Sequence, residues 1–115
     1  MDEYRQLSRR RAQIVEQIAA LGPMRMGSIT EQHLPTHRAD GSVYRRGPYL
    51  TYTFKQGGKT CGKHLRDAHE AELYRSQIEA FRRYQELAAE LVRVSQRLAD
   101  LEAAGDQGGK KNSRR

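Results

Sequence analysis

With 115 residues and a mass of 13.2 kDa the chain has room for one domain, which excludes any scheme that sets a cofactor domain beside a substrate domain. Leu, Ile, Val and Phe number 20 of 115 and 30% of residues are charged, so composition alone resembles a disordered chain and only an ordered apolar pattern can indicate a core. Twenty-one Lys and Arg against fourteen Asp and Glu leave +7, which favours a polyanionic partner; no run is apolar enough to span a membrane, and the single cysteine, Cys61, excludes an internal disulfide. The expectation is a soluble, cytoplasmic protein.

In chain order, Tyr4, Leu7, Ile14, Ile18 and Leu21 recur at helical spacing until Gly22 and Pro23 stop them, so residues 1–22 are predicted to form an amphipathic helix. Residues 23–66 hold eight bases (Arg25, Arg38, Arg45, Arg46, Lys55, Lys59, Lys63 and Arg66) against Glu31 and Asp40, a net of +6. A strand is expected near residues 26–32. A basic loop should follow over residues 33–48, turning at Asp40-Gly41 with room for a small secondary hairpin. Next, PYLTYTFKQGGKTCGKHL reads as a hairpin in which Gly57 and Gly58 supply the positive φ of a two-residue turn. That turn pairs Lys55 with Thr60, Phe54 with Cys61, Tyr52 with Lys63, Thr51 with His64 and Leu50 with Leu65. One face then carries Leu50, Tyr52, Phe54, Cys61 and Leu65, and the wet face carries Tyr49, Thr51, Thr53, Lys55, Thr60, His64 and Arg66.

Asp67, with Glu70 three residues on, marks the start of a helix predicted over residues 67–104, a segment with five bases and eight acids and neither Gly nor Pro. Tyr74, Ile78 and Phe81 form a first apolar stripe. Tyr84, Leu87, Leu91, Val94, Leu98 and Leu101 continue it in alternating steps of three and four, a seam that calls for a helical partner. The first helix has the matching period, and antiparallel pairing within the chain is the economical solution. Residues 105–115 read as a disordered basic tail. The whole is an α+β fold: N-terminal helix, three-stranded antiparallel sheet, and a long C-terminal helix pairing with the first.

No nucleophile, base and oxyanion site are seen together, and there is no phosphate-binding glycine loop, so no catalytic residue and no cofactor are assigned. His33, His37, Cys61 and His64 are zinc-type ligands, but the spacing of Cys61 and His64 puts them on opposite faces of one strand, and no metal is expected. The basic hairpin stands above background. Arg38, Arg45, Arg46, Tyr49, Thr51, Thr53, Lys55, Lys59, Lys63, His64 and Arg66 are the residue types that hold phosphates and base edges, and a two-stranded ribbon fits the major groove.

On GSVYRRGPYLTYTFKQGGKT, LRD and EAELYRSQIEAFRRYQELAAELVRVSQRLADLE, the chain resembles a family of small, uncharacterised bacterial proteins encoded among transposases and other mobile-element genes. Many members resemble zinc-knuckle proteins there, with closely spaced cysteines before Gly47-Pro48-Tyr49, where this chain has His33, Pro35, His37 and Arg38 instead. More distantly, strands followed by a helix are similar to the arm-type DNA-binding domains of tyrosine recombinases, whose three-stranded sheet enters the major groove. The resemblance implies a non-enzymatic accessory protein that binds DNA, or RNA, through its sheet and basic loop. The other expectation is an adaptor whose helical stem recruits a transposase, a recombinase or a second copy of the chain.

Overall fold

The computed structural model describes residues 2–109, with the side chains of residues 33–36, 44–48 and 106–109 outside that description. The elements in order are α1 (Asp2–Ala20), β1 (Ser28–His37), β2 (Val43–Gln56), β3 (Lys59–His64) and α2 (Ala68–Gly109). Packing divides the chain into two compact units, Gly22–Phe81 and a pair formed by Met1–Leu21 with Arg82–Arg115. Each has its own apolar cluster, where composition suggested a single core. Among the described residues no helix is long and apolar enough to cross a membrane.

In the sheet unit the strands run antiparallel in the order β1-β2-β3. The β2–β3 register is the one the two-glycine turn requires: Lys55 opposite Thr60, Phe54 opposite Cys61, Tyr52 opposite Lys63 and Thr51 opposite His64. Gly57 and Gly58 both have positive φ, and the ladder continues through the Leu65 N–H, which donates to the Leu50 carbonyl at 2.9 Å. Because side chains alternate, Tyr52 and Leu65 fall on the face covered by α2 and are buried with Ala71, Tyr74 and Ile78; Ile29, Leu50 and Phe54 pack against them. Tyr52 stacks on Phe54 at 5.0 Å, meets Tyr74 edge-on at 5.1 Å, and donates its hydroxyl to the Met26 carbonyl.

Two devices hold this unit at its ends. Arg25 lays its guanidinium 4.0 Å from the Tyr74 ring centre and bonds Gln77 through both its Nε (2.8 Å) and its backbone N–H (3.0 Å). At the start of α2, Asp67 accepts the Glu70 N–H at 2.8 Å, the cap that the sequence indicates. Glu70 does not reach back to Asp67. Its carboxylate takes the Arg66 N–H at 2.7 Å, so the reciprocal bond of a capping box is displaced by one residue.

The stretch over residues 33–48 is not the basic loop expected from sequence. It is paired strand, with His37 opposite Val43 and Leu34 opposite Arg46, while the tight turn at Asp40-Gly41 and the secondary hairpin around it, within residues 38–42, lie where the sequence placed them. A bulge between Gln32 and Leu34 breaks the two-residue period there, and Pro35 and Pro48 argue against strand in any sequence reading. Both prolines are tolerated because β1 is an edge strand and β2 before residue 51 is paired only to β1. The last helix also differs from its predicted end at residue 104, continuing to Gly109. Isolated glycines cost a helix about 1 kcal/mol each, and no proline stops it. The remainder of the tail lies outside the described residues.

In the helical unit α1 and α2 run antiparallel around buried Ile14, Leu87, Val94 and Leu98, flanked by Leu7, Ile18, Leu21 and Leu91. One flank carries a polar ladder at heptad steps. Arg97 bonds Glu3 at 2.9 and 3.0 Å, Arg10 holds Glu90 with two bonds of 2.7 Å, and Arg83 reaches Gln17 at 3.4 Å. The numbers in each pair add to 100, so one antiparallel register satisfies all three. The Arg10 guanidinium holds the Glu90 carboxyl below the usual carboxylate range. On the other flank the Tyr4 hydroxyl donates to Glu102 at 2.6 Å and Arg11 Nε to Ser95 at 3.2 Å.

Candidate nucleic-acid interface

The face of the sheet not covered by α2 is built by strand parity. From β2 it receives Tyr49, Thr51, Thr53 and Lys55, from β3 Thr60, Gly62 and His64, and from β1 Ser28, Thr30 and Gln32. Hydroxyls dominate. Ser28 and Thr53 lie 3.4 Å apart through their oxygens, and the Thr30 hydroxyl donates to the Thr51 carbonyl at 3.4 Å. Gly62 leaves the surface low beside Thr51 and Thr53: a Cβ there would lie 3.5 Å from the Thr51 methyl. The Tyr49 and His64 rings sit 5.9 Å apart, tilted by 44°, across the strand pair. Such a face offers donors, acceptors and methyls to phosphates and base edges, with Lys55 as its cation at the turn end.

The basic residues do not all converge on it. Lys59 and Lys63 have the opposite parity, pairing with Gln56 and Tyr52. Lys63 turns inward to the Tyr74 hydroxyl at 2.8 Å and Glu70 at 3.4 Å, and the bond to Tyr74 raises its pKa. Arg66, expected on the wet face, lies past the end of β3 and gives both its N–H and its Nε (3.3 Å) to Glu70. Under these bonds, the one from the Arg66 N–H foremost, the Glu70 carboxyl falls to about 2. Lys63 and Arg66 therefore fasten the strand exit to α2. Lys55 and Lys59 are exposed and have no ion-pair partner among the described residues.

The other basic positions lie on an arm. β3 pairs with β2 only over residues 51–56, whereas β1 pairs with it down to Val43, so a two-stranded ribbon continues for eight residues, about 26 Å, past the third strand. Arg45 and Arg46 occupy ladder positions opposite Pro35 and Leu34, their side chains outside the described residues. Arg38 opens the turn, its N–H donating to the Ser42 carbonyl at 2.8 Å and its carbonyl accepting from Gly41 at 3.0 Å. Asp40 closes that turn by accepting the Ser42 N–H and hydroxyl at 2.9 and 2.7 Å, bonds that lower its pKa.

Ser28, Thr30 and Gln32 were not among the residues singled out by sequence. Their alternation with Ile29 was the available signal, but which face it met depended on a pairing partner some twenty residues away. Cys61 and His64 stand on opposite sides of β3, and among the described residues no three His, Cys, Asp or Glu side chains gather as a metal site would require.

A family model described as a domain of unknown function, DUF6788, matches residues 4–75, a span that takes in α1, the whole sheet and the start of α2. No curated protein and no solved structure matches the chain.

Proposed function

The chain belongs to the DUF6788 family, and we propose that it is a non-enzymatic nucleic-acid-binding protein of the cytoplasm, acting on DNA as an accessory to mobile-element enzymes. The observation that carries this reading is the two-stranded arm. A ribbon of this width fits the major groove of a duplex, and this one holds Arg38, Arg45 and Arg46 against Glu31 and Asp40. The arm leads into the hydroxyl-rich face, so phosphate-binding cations and groups able to touch base edges belong to one continuous sheet. Lys63 and Arg66, committed to Glu70, are left out of the binding set.

The test is DNA binding measured across a salt series. Neutralising Arg45 and Arg46 to Gln should flatten the slope of log affinity against log salt by about 1.8, about 0.9 per lost phosphate contact. The matched control removes Arg5 and Arg75, exposed and outside the sheet. Equal weakening by the control pair would reduce the charge to bulk attraction and sink the arm-in-groove reading. Changing Thr51 and Thr53 to Ala should narrow the preference between sequences while sparing most non-specific affinity. RNA of the same sequence, bound as tightly, would move the assignment from DNA to RNA.

A further inference from the structure

Gly62 stands inside β3, where a glycine weakens the strand because it has no side chain to pack and more backbone freedom to lose. The backbone does not require it there: φ is positive at Gly27, Gly41, Gly57 and Gly58 but not at Gly62. Crowding does not require it either. A Cβ at this position would lie 3.5 Å from the Thr51 methyl and 4.0 Å from the Thr53 methyl, ordinary contact distances. A side chain would fit and would support the strand. What the glycine provides is a notch in the field of side chains on the open face of the sheet, the kind of close approach for which a strand gives up a side chain.

The walls of this notch suit one kind of occupant. Along β3 it lies between Thr60 and His64, each two residues away on the same face, and across the ladder it meets Thr53 and Thr51. The His64 ring is exposed and is backed by Tyr49, 5.9 Å away and tilted by 44°. Among the described residues neither ring has another aromatic partner, and neither side chain has a hydrogen bond. Methyls and an exposed ring accept a flat ring, and the threonine hydroxyls can bond its edge. Lys55, opposite Thr60 on the same face, is exposed and unpaired, and the outward side chains over residues 28–32, 49–55 and 60–64 include no Asp or Glu. A flat ring carried on an anionic chain meets all of these features, and a nucleobase on its phosphate is such a group. The grooves of a duplex show only base edges. Base faces are available where a strand is unpaired, and there they are held by stacking on aromatic side chains.

We propose that the notch over Gly62 receives one unpaired base, stacked on His64 with Tyr49 behind it and its phosphate toward Lys55, so that the DNA this chain prefers is a duplex adjoining a single strand. The proposal rests on the reading of the arm as the duplex-binding element. It sets the unpaired base at the root of that arm, where β2 passes from ribbon to three-stranded sheet between Tyr49 and Thr51.

Binding of the full chain to a blunt duplex and to the same duplex carrying a single-stranded thymine tail tests this, the readout being the ratio of the two affinities. The tail should tighten binding about tenfold, the low end of what one stacked base contributes. Gly62→Val should abolish that gain by filling the notch, yet melt at or above the parent temperature, since valine suits a strand. His64→Ala should lose most of the gain and His64→Phe should keep it, because the face of the ring holds the base. A gain that survives Gly62→Val, or a loss as large with His64→Phe as with His64→Ala, would overturn the proposal. A chain that holds the blunt duplex through Arg45 and Arg46 and gains nothing from the tail would overturn this proposal alone. One that gains from the tail through His64 but is unmoved by neutralising Arg45 and Arg46 would overturn the arm instead, and one that binds neither DNA would remove both.

Discussion

Leu87 is the most informative position for the helical unit. Its side chain is 1% exposed and packs in the same cluster as Ile14, which is fully buried on the facing helix. Leu87→Ala removes three carbons, worth about 2.4 kcal/mol at about 0.8 kcal/mol each, and a cavity term between two helices that cannot collapse freely brings the loss to about 3 kcal/mol. For a chain of this length that is a fall of about 12 °C in Tm. Leu91, only partly buried in the same seam, should lose about half as much on change to Ala, and exposed Val92→Ala close to nothing. Thermal melts followed by circular dichroism give the three values. If Leu87→Ala melts within about 2 °C of the parent, the burial of this seam is wrong and with it the pairing of the helices.

Glu70→Gln bears on the sheet unit through pH. The carboxyl of Glu70 lies at about 2 in the folded chain against 4.5 when unperturbed, so its stabilisation is complete above 4.5 and is lost as pH falls through the folded value. The variant should melt lower than the parent at neutral pH, and the gap should close between pH 4.5 and 2; a constant gap across that window would show that charge on Glu70 is not what ties Lys63 and Arg66 to the helix. Gly27→Ala should cost about 2 kcal/mol or more, because φ is +123° and a Cβ would lie 2.5 Å from the Thr53 carbonyl oxygen and 2.6 Å from the Tyr52 ring. Gly57→Ala, at a positive φ but in open space, should cost less than Gly27→Ala when both are measured by urea titration, and equal losses would place the effect in backbone conformation alone.

Those elements whose pattern is local were legible from the chain itself. The two-glycine turn, with strand alternation around it, determines the β2–β3 register residue by residue, and the heptad steps of α1 and α2 determine which apolar residues form their seam. The open sheet face was legible as far as β2 and β3 reach, with Lys63 on its reverse side. What lay beyond was decided by contacts between residues far apart in sequence. Pro35 and Pro48 read as loop because a proline cannot donate to a ladder, and only the edge position of β1, for Pro35, and the third strand's early end, for Pro48, show that no donor was needed there. Arg66 read as a phosphate contact until Glu70, four residues on, was seen to collect its N–H, its Nε and the Lys63 ammonium together. Spacing in a chain reports which way a side chain leaves its own backbone. Whether a charge met there by another is still available to a ligand depends on the packing of the folded chain, and tertiary structure alone decided it for Lys63 and Arg66.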